Sequence, residues 1–238
     1  MYGGRNIYKN YNKTMITIKG RILKTHYYAN SIPSISAQIY AMTAIPKSPP
    51  WYATVNQPTR WIDLESDFRL GYSKRLQKYL RNDVMEEFTI HRPLIIPDIL
   101  EMFNSTIEAK NLNSYPSSIV RIQDNYYYSE IHHRKLGRLA AHLCIGDKDN
   151  KIAMGYINAS NFRKFEDKHS ARIASIANKA LFDNDLHYLQ SLGYQTYDMV
   201  GITEPMNQMK KEFGGKILPT YTHIPSIIYG LDYLRKRF

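Results

Sequence analysis

The second half of the chain has a pattern of apolar and polar positions that predicts a sheet with two helices. Alternating positions over 138–146 and 151–159 are typical of strands, and the polar residues 147–150 between them suit a tight hairpin turn. A helical period over 168–192 predicts a long helix, with Gly193 just past its end. The remaining predicted elements are a strand over 195–201, a short helix opened by Pro205 and closed by Gly214 and Gly215, and a strand over 217–223.

The first half has a weaker pattern. Residues 15–23 alternate as a strand does, whereas residues 31–60 contain five prolines and predict loops with short strands. A helix is predicted over 66–81, with Ser66 as its N-cap and Phe68, Tyr72, Leu76, Tyr79 and Leu80 on one side. A strand over 84–90 and a helix over 97–112, opened by Pro97, follow.

Composition and charge then narrow the class of protein. The chain has 238 residues, of which 43% are hydrophobic, so it can fill the core of one substantial domain. Its formal net charge of +11 favours an anionic ligand, a membrane surface or a nucleic acid as partner. Basic residues gather at Lys74, Arg75, Lys78 and Arg81 and again at 235–237, but most are spread, as on a solvated surface.

Other features concern the compartment. No apolar run approaches the roughly 18 residues that a membrane-spanning helix needs, and the first residues lack the apolar segment of a secretory signal. The single cysteine, Cys144, excludes an intrachain disulfide and fits a reducing compartment. We therefore expect a cytoplasmic protein without a transmembrane segment.

Three short segments carry a resemblance to a known superfamily. Asn178-Lys-Ala-Leu is followed by Gly193-Tyr-Gln-Thr-Tyr-Asp-Met-Val-Gly and then by Asn207-Gln-Met-Lys-Lys-Glu-Phe-Gly-Gly. In this order they resemble the C-terminal half of GNAT-like and Fem-type acyltransferases, as does Ser160-Asn-Phe-Arg at a strand-to-helix junction. The resemblance covers roughly residues 138–223.

The resemblance implies an α/β (α+β) fold with a mixed, mostly antiparallel central sheet flanked by helices. It implies a single GNAT-like domain over 1–238, in which 1–112 is a divergent part that shapes the acceptor side and 113–238 is the core that binds the acyl donor.

The resemblance also implies where the donor binds. In GNAT proteins a signature with a central glycine holds the pyrophosphate of acyl-CoA at a helix start, where backbone N–H groups form an anion site. The nearest match is Arg172-Ile-Ala-Ser-Ile-Ala177, in which Ser175 replaces that glycine. A helix start with small residues for packing is the alternative. Further donor contacts are expected from Tyr156 and Ile157 through their backbone, and from Asn178 and Asn207.

Two acidic residues are candidate catalytic groups. Asp198 near a strand end can act as a base or orient an amine; alternatively it is a buried acid that caps the backbone or pairs with an arginine. Glu204, before Pro205, can act as a base or cap the short helix. Glu130, His132 and His133 form too short a cluster to predict a metal site, and a buried, packed Cys144 is favoured over a nucleophile paired with His142.

These observations predict an N-acyltransferase that moves an acyl group, acetyl in the first instance, from acetyl-CoA or another acyl-CoA to a small-molecule or peptide amine by direct attack, without a metal. Two alternatives stay open: a Fem-like transferase that uses aminoacyl-tRNA, and a non-catalytic binding protein on the same scaffold. A tRNA partner and a homodimer are both compatible with the sequence.

Overall fold

The computed structural model describes residues 16–19, 23–81, 85–93, 99–108, 125–202 and 206–235. The described strands are β1 (Ile16–Lys19), β2 (Lys24–Tyr27), β3 (Ile39–Thr43), β4 (Tyr52–Asn56), β5 (Thr59–Asp63), β6 (Phe88–His91), β7 (Tyr126–His133), β8 (Gly137–Asp147), β9 (Ile152–Ser160), β10 (Thr196–Asp198), β11 (Lys216–Leu218) and β12 (Tyr221–Pro225). The described α-helices are α1 (Lys74–Tyr79), α2 (Ile99–Glu108), α3 (Lys168–Ser191), α4 (Met206–Glu212) and α5 (Ser226–Arg235).

A central sheet of seven strands organises the molecule. Its strand order is β11-β5-β10-β9-β8-β7-β6. Only the pair β9 and β10 is parallel, and the other neighbours are antiparallel. The predicted hairpin is confirmed, since β8 and β9 are joined by a turn in which the Asp147 carboxylate accepts hydrogen bonds from the backbone N–H groups of Asp149 and Asn150. The mixed, mostly antiparallel sheet flanked by helices is therefore confirmed.

The long helix α3 covers one face of this sheet. Asp167 caps its first turn by accepting a hydrogen bond from the backbone N–H of Ser170, and Gly193, with φ of +86°, follows its end. Its apolar side is buried against the strands, partly through small residues that let the helix approach closely. These residues are Ala174, Ala177, Ala180, Leu181, Phe182, Leu186 and Leu189.

The opposite face is covered by α2 and by a second sheet. That sheet has the order β1-β2-β3-β12-β4. Its side chains meet those of the central sheet in an apolar layer that includes Tyr28, Met42, Trp61 and Met154. Helix α2 packs beside this layer, where Ile99, Leu100 and Met102 contact Leu143 and Ile157. The central sheet is thus the middle layer of three.

The two sheets exchange strands between the halves of the chain. Strand β12, from the end of the chain, lies between β3 and β4, and β5, from the first half, lies between β10 and β11. The prediction of one strand over 217–223 is therefore wrong: β11 and β12 are separate strands in different sheets. Pro219 lies between them and has no N–H to donate to a ladder.

The predicted helix over 66–81 is wrong in its extent. The chain forms a short 3₁₀ turn at Phe68–Gly71, capped by Asp67, and then α1, capped by Ser73 rather than Ser66. The break lies where the backbone of Gly71 meets that of Gly214; a β-carbon on Gly214 would lie 2.5 Å from the Gly71 carbonyl oxygen. The expected apolar side is confirmed for Phe68, Tyr72 and Leu76, which are buried.

Several other boundaries differ from the predicted ones. The strand predicted over 84–90 is Phe88–His91, and the strand predicted over 195–201 ends at Asp198. Pro97 and Pro205, predicted to open two helices, lie outside the described residues, as do the last residues of the helix predicted over 97–112 and the segment 113–124. Among the described helices, none combines the length and the apolar character that crossing a bilayer requires.

Candidate functional site

The parallel strands β9 and β10 diverge after only three paired positions. The paired positions are Thr196 with Ile152, Tyr197 with Ala153 and Asp198 with Met154. Beyond them β9 continues to Ser160 without β10 beside it. Beyond Asp198 the backbone turns away through Val200 and Gly201, whose φ angles are +48° and +53°. The result is a notch at the point where a GNAT-like fold is expected to hold the carbonyl of its donor.

A bulge in β9 lies beside this notch. Leu143 of β8 pairs with Ile157 and Cys144 pairs with Gly155, so that Tyr156 is the extra residue between them. A bulge interrupts the regular ladder and changes the direction of the backbone groups around it. Ile157 is buried against α2. The sequence placed Tyr156 and Ile157 at the donor site, and the structure places both in the bulge.

Gly155, beside the bulge, lies close against the side chain of Tyr197. A β-carbon at this position would lie 2.7 Å from the hydroxyl oxygen of Tyr197 and 3.5 Å from the amide nitrogen of Asn158. The first distance is shorter than real β-carbon contacts. The Tyr197 hydroxyl and the Cys144 sulfur lie 3.6 Å apart in the same buried layer. Cys144 is buried and its pKa is raised by that burial, so it is a packed residue and not an activated nucleophile.

The second sheet closes the other side of the notch. Tyr27 packs in the same apolar layer as Tyr156, and the pKa of Tyr27 is raised first by burial and then by the nearby Tyr156. Tyr28, with φ of +61°, turns its hydroxyl to donate a hydrogen bond of 2.8 Å to Asp198. The first half of the chain therefore contacts the end of β10 directly.

Asp198 is completely buried at the end of β10. Its carboxylate accepts hydrogen bonds from the hydroxyls of Tyr28 and Thr59 and, at 2.7 Å, from the backbone N–H of Val200. Burial raises the pKa of Asp198, and these hydrogen bonds oppose that increase. This arrangement fits an acid that holds the backbone turn after β10 better than it fits a base that meets an incoming amine.

Lys210 of α4 is a buried cation that the sequence analysis did not single out. Its ammonium donates hydrogen bonds to the carbonyl oxygens of Val200 and Gly201. Burial lowers its pKa to about 8; the negative charge of Asp198 opposes this and the positive charge of Arg60 adds to it. On an amphipathic helix a lysine is normally exposed to solvent. The only sequence signal for Lys210 was therefore that it follows soon after the Asp198-Met-Val-Gly201 segment.

The guanidinium of Arg60, in β5, forms hydrogen bonds with the Phe213-Gly-Gly215 segment. Its Nη1 donates to the carbonyl oxygens of Gly214 and Gly215, at 2.9 Å and 3.2 Å, and its Nη2 lies 3.5 Å from the Oδ1 of Asn207. Both glycines have positive φ. Asn207, predicted to contact the donor, is buried in this network. Together Asp198, Lys210, Arg60 and Asn207 form one polar cluster below the notch.

The predicted pyrophosphate segment lies elsewhere. Arg172, Ser175 and Ala177 are inside α3, which begins at Lys168, so their backbone N–H groups bond to the preceding turn of the helix. The helix start is occupied by the Asp167 side chain, whose pKa is lowered by hydrogen bonds from Ser170. Ala177 is buried against the sheet, whereas Arg172 is exposed. The alternative of a helix with small residues for packing fits these positions better.

Asn178, another predicted donor contact, also lies away from the polar cluster of Asp198, Lys210, Arg60 and Asn207. The Oδ1 of Asn178 lies 3.0 Å from the Nε2 of His142, and the Nδ1 of that histidine lies 2.8 Å from Asp185. Asn178 therefore takes part in a buried network on the α3 face. Glu204, the second candidate base, lies outside the described residues. Within the described parts of the chain, no group of three or more His, Cys, Asp or Glu side chains is arranged to hold a metal ion.

A comparison by sequence finds no family model and no curated protein that matches this chain. Solved structures do match. A C-terminal DUF2156 domain from Agrobacterium fabrum, named for a lysylphosphatidylglycerol synthetase, has a TM-score of 0.55 at 12% identity, over 89% of this chain and 80% of that one. The structure of L-PGS from Bacillus licheniformis has a TM-score of 0.55 at 12% identity, over 94% of this chain and 86% of that one.

A structure of FemX matches with a TM-score of 0.54 at 10% identity, over 73% of this chain and 63% of that one. At such identities the likeness is one of fold. The chain therefore has a GNAT-like, Fem-type acyltransferase fold.

Proposed function

We propose that this protein is an acyltransferase that moves an aminoacyl group from aminoacyl-tRNA to an amine acceptor. The observation that carries the proposal is the state of α3: the segment that would hold the pyrophosphate of acyl-CoA lies inside the helix, and the helix start is capped by Asp167. A carboxylate at this place already satisfies a backbone N–H group and repels a diphosphate. The GNAT scaffold is thus present without its usual anchor for coenzyme A.

The notch between β9 and β10 supports a direct transfer. An ester carbonyl placed beside the bulge at Tyr156 is within reach of backbone N–H groups of β9, and such donors stabilise the oxyanion of a tetrahedral intermediate. The acceptor nitrogen forms the new C–N bond, the C–O bond to the terminal ribose breaks, and the ribose hydroxyl leaves with the proton that the amine loses. No covalent enzyme intermediate is required, in keeping with the buried, unactivated Cys144.

Two further observations support this donor over acyl-CoA. The formal charge of +11 favours a polyanion the size of tRNA. The Agrobacterium fabrum structure, with a TM-score of 0.55, is named for a lysylphosphatidylglycerol synthetase, and lysylphosphatidylglycerol carries an aminoacyl group. By analogy of fold, an aminoacyl donor is the first candidate for this chain.

An acyl-CoA-dependent N-acyltransferase is the second candidate. It is favoured by the notch itself, because the same diverging strands and the same bulge accept a thioester carbonyl as well as an ester. In this case the pyrophosphate would need a site other than the start of α3. The acetyl group stays the simplest acyl group to test.

The experiment compares both donors on the purified chain. Binding is measured by calorimetric titration with acetyl-CoA and by filter binding with tRNA charged with radiolabelled amino acids. Transfer is measured as the release of label to hydroxylamine, used as a small amine acceptor, above the rate with heat-inactivated protein. Tight aminoacyl-tRNA binding with accelerated transfer, and no binding of millimolar acetyl-CoA, is the expected result. Acetyl-CoA binding without tRNA binding would establish the second candidate, and binding of neither donor would leave a non-catalytic binding protein.

A further inference from the structure

Two neighbouring helices carry exposed cations that take no part in the notch. Helix α1 carries Lys74, Arg75 and Lys78, and Arg81 follows shortly after its end. Helix α3 carries Lys168 and Arg172. All six side chains are exposed. We call these six residues the α1–α3 basic surface. We propose that the α1–α3 basic surface binds the phosphate backbone of tRNA. The proposal rests on the proposed function, because it names the surface that would hold the donor.

Tyr79 shows that the two helices form one surface. Its hydroxyl accepts a hydrogen bond of 3.0 Å from the Nε of Arg75 on its own helix. The ammonium of Lys179, on α3, lies 4.9 Å from the centre of its ring. The hydrogen bond from Arg75 lowers the pKa of Tyr79, and the positive charges of Arg75, Lys179 and Arg172 add to this. Cations of both helices therefore act on the hydroxyl of Tyr79, as expected of a locally positive region.

The cations of α3 lie along one stripe of the helix. Lys168, Arg172 and Lys179 are spaced by four and seven residues, which brings them to the same side. At a rise of about 1.5 Å per residue, the exposed members Lys168 and Arg172 lie ~6 Å apart along the helix axis, so the stripe offers two positive charges to a phosphate backbone. Lys179 is buried and paired with Glu212 at 2.7 Å, so it supports the surface from below.

The six exposed cations are available for an external partner. None of them forms an ion pair with a carboxylate of the described residues, whereas other cations, such as Arg69 and Arg92, are paired with Asp183 and Asp185. Lysines and arginines that line two neighbouring helices suit a phosphate backbone. A strongly exposed apolar side chain, Leu70, also lies just before α1, so binding to a lipid surface is the competing outcome that the experiment below separates.

Binding of an unacylated tRNA mixture tests the surface without requiring transfer. The variant K74E/K78E reverses two charges on α1, and K47E/K148E reverses two exposed lysines outside the surface, with the same change in net charge. R172E tests the contribution of α3. Each variant is first checked by circular dichroism and thermal unfolding. Dissociation constants are then measured between about 50 and about 200 mM salt, the range over which phosphate contacts lose most of their affinity.

We expect K74E/K78E to weaken tRNA binding about tenfold or more and to reduce the slope of log affinity against log salt by about 2, and R172E to reduce it by about 1. K47E/K148E should stay within about twofold of the unmodified chain, since non-contacting charges act only through the weak long-range field. Equal weakening by both double variants would overturn the proposal, because net charge alone would then explain it.

A parallel titration with phosphatidylglycerol vesicles separates an RNA surface from a membrane surface. Loss of vesicle binding in K74E/K78E, with tRNA binding unchanged, would also overturn the proposal. The same measurements distinguish failure of the surface from failure of the proposed function. A chain that binds tRNA through the α1–α3 basic surface but transfers nothing keeps the surface and loses the activity, whereas transfer with an unchanged KM in K74E/K78E keeps the activity and loses the surface.

Discussion

The hydroxyl of Tyr28 donates a hydrogen bond of 2.8 Å to the buried carboxylate of Asp198. These residues are far apart in sequence, and their contact joins the second sheet to the end of β10, where the parallel strands diverge. Thr59 and the backbone N–H of Val200 also donate hydrogen bonds to this carboxylate. The shape of the notch thus depends on a contact between the two halves of the chain.

Asp198→Asn distinguishes a structural acid from a catalytic base. Because Asp198 is buried and held by three donors, we expect the substitution to change the free energy of unfolding by ~1–3 kcal/mol, since it alters charged buried hydrogen bonds. We expect any transfer activity to stay within about tenfold of the unmodified rate, because general-base loss typically costs about a hundredfold or more. Tyr28→Phe is the matched control, and a rate loss confined to Asp198→Asn would establish a catalytic role.

The pH dependence of stability has a defined sign at Asp198. Burial raises its pKa above the ordinary value of 3.8, so above that pH the folded chain binds more protons at this site than the unfolded chain. We therefore expect the stability of the unmodified chain, relative to Asp198→Asn, to fall as the pH rises from about 4 towards neutrality. Urea unfolding at a series of pH values measures this difference, and a rise over that range would contradict the environment described for the carboxyl.

Lys210 gives the opposite sign in an alkaline range. Burial lowers its pKa from 10.5 to about 8, so between these values the unfolded chain binds more protons at this site. Stability relative to Lys210→Met should therefore increase as the pH rises from about 8 to about 10.5, and stay constant below about 8. Lys211→Met, at an exposed neighbour on α4, is the control for removing a lysine from this helix, and a pH dependence of the same size in both variants would contradict the assignment to Lys210.

Gly215 and Gly137 form a matched pair for the Phe-Gly-Gly segment. Both have positive φ, +78° and +71°, but a β-carbon on Gly215 would lie 2.4 Å from the Trp61 carbonyl oxygen, whereas one on Gly137 would meet nothing within 4 Å. Gly137→Ala should cost ~1–2 kcal/mol from backbone strain alone. Gly215→Ala should cost ~1–3 kcal/mol more from overpacking against backbone. Equal costs in denaturant unfolding would show that the close approach relaxes freely.

Gly155→Ala tests the closeness of β9 and Tyr197. The added β-carbon would lie 2.7 Å from the Tyr197 hydroxyl oxygen but 3.6 Å from the ring carbon that bears it. We expect Gly155→Ala to destabilise the chain by ~1–3 kcal/mol and Tyr197→Phe to recover most of this loss in the double variant. A double-mutant cycle measures the coupling, and additive effects would mean that the strand moves as a whole.

The sequence was most informative where a local rule decides the structure. The hairpin between β8 and β9 followed from its polar turn, and α3 followed from a long helical period with Gly193 just past its end. The same rules fail where distant backbone segments meet. The break between Gly71 and α1 is set by the approach of Gly214, which no pattern near residue 71 reveals.

The candidate site was predicted only in outline. The resemblance indicated Tyr156 and Asn207 as donor contacts, and the strand pattern indicated Asp198 near a strand end. The residues that determine their environment come from other elements. Arg60 lies in a short strand of the proline-rich first half, and Lys210 has the sequence context of a solvent-exposed helix residue. Their burial depends on β5 being inserted between β10 and β11, a pairing that spacing along the chain does not indicate.

The insertion of β12 between β3 and β4 has a consequence for synthesis. During synthesis β3 and β4 are made early, but β12, which separates them in the sheet, leaves the ribosome only after all the residues between β4 and β12 have been made. Until then these strands have unsatisfied edges, and such edges are prone to pair with other chains. Completion of the second sheet therefore waits for the C-terminal segment, so a nascent chain stalled before β12 should be a target for chaperones.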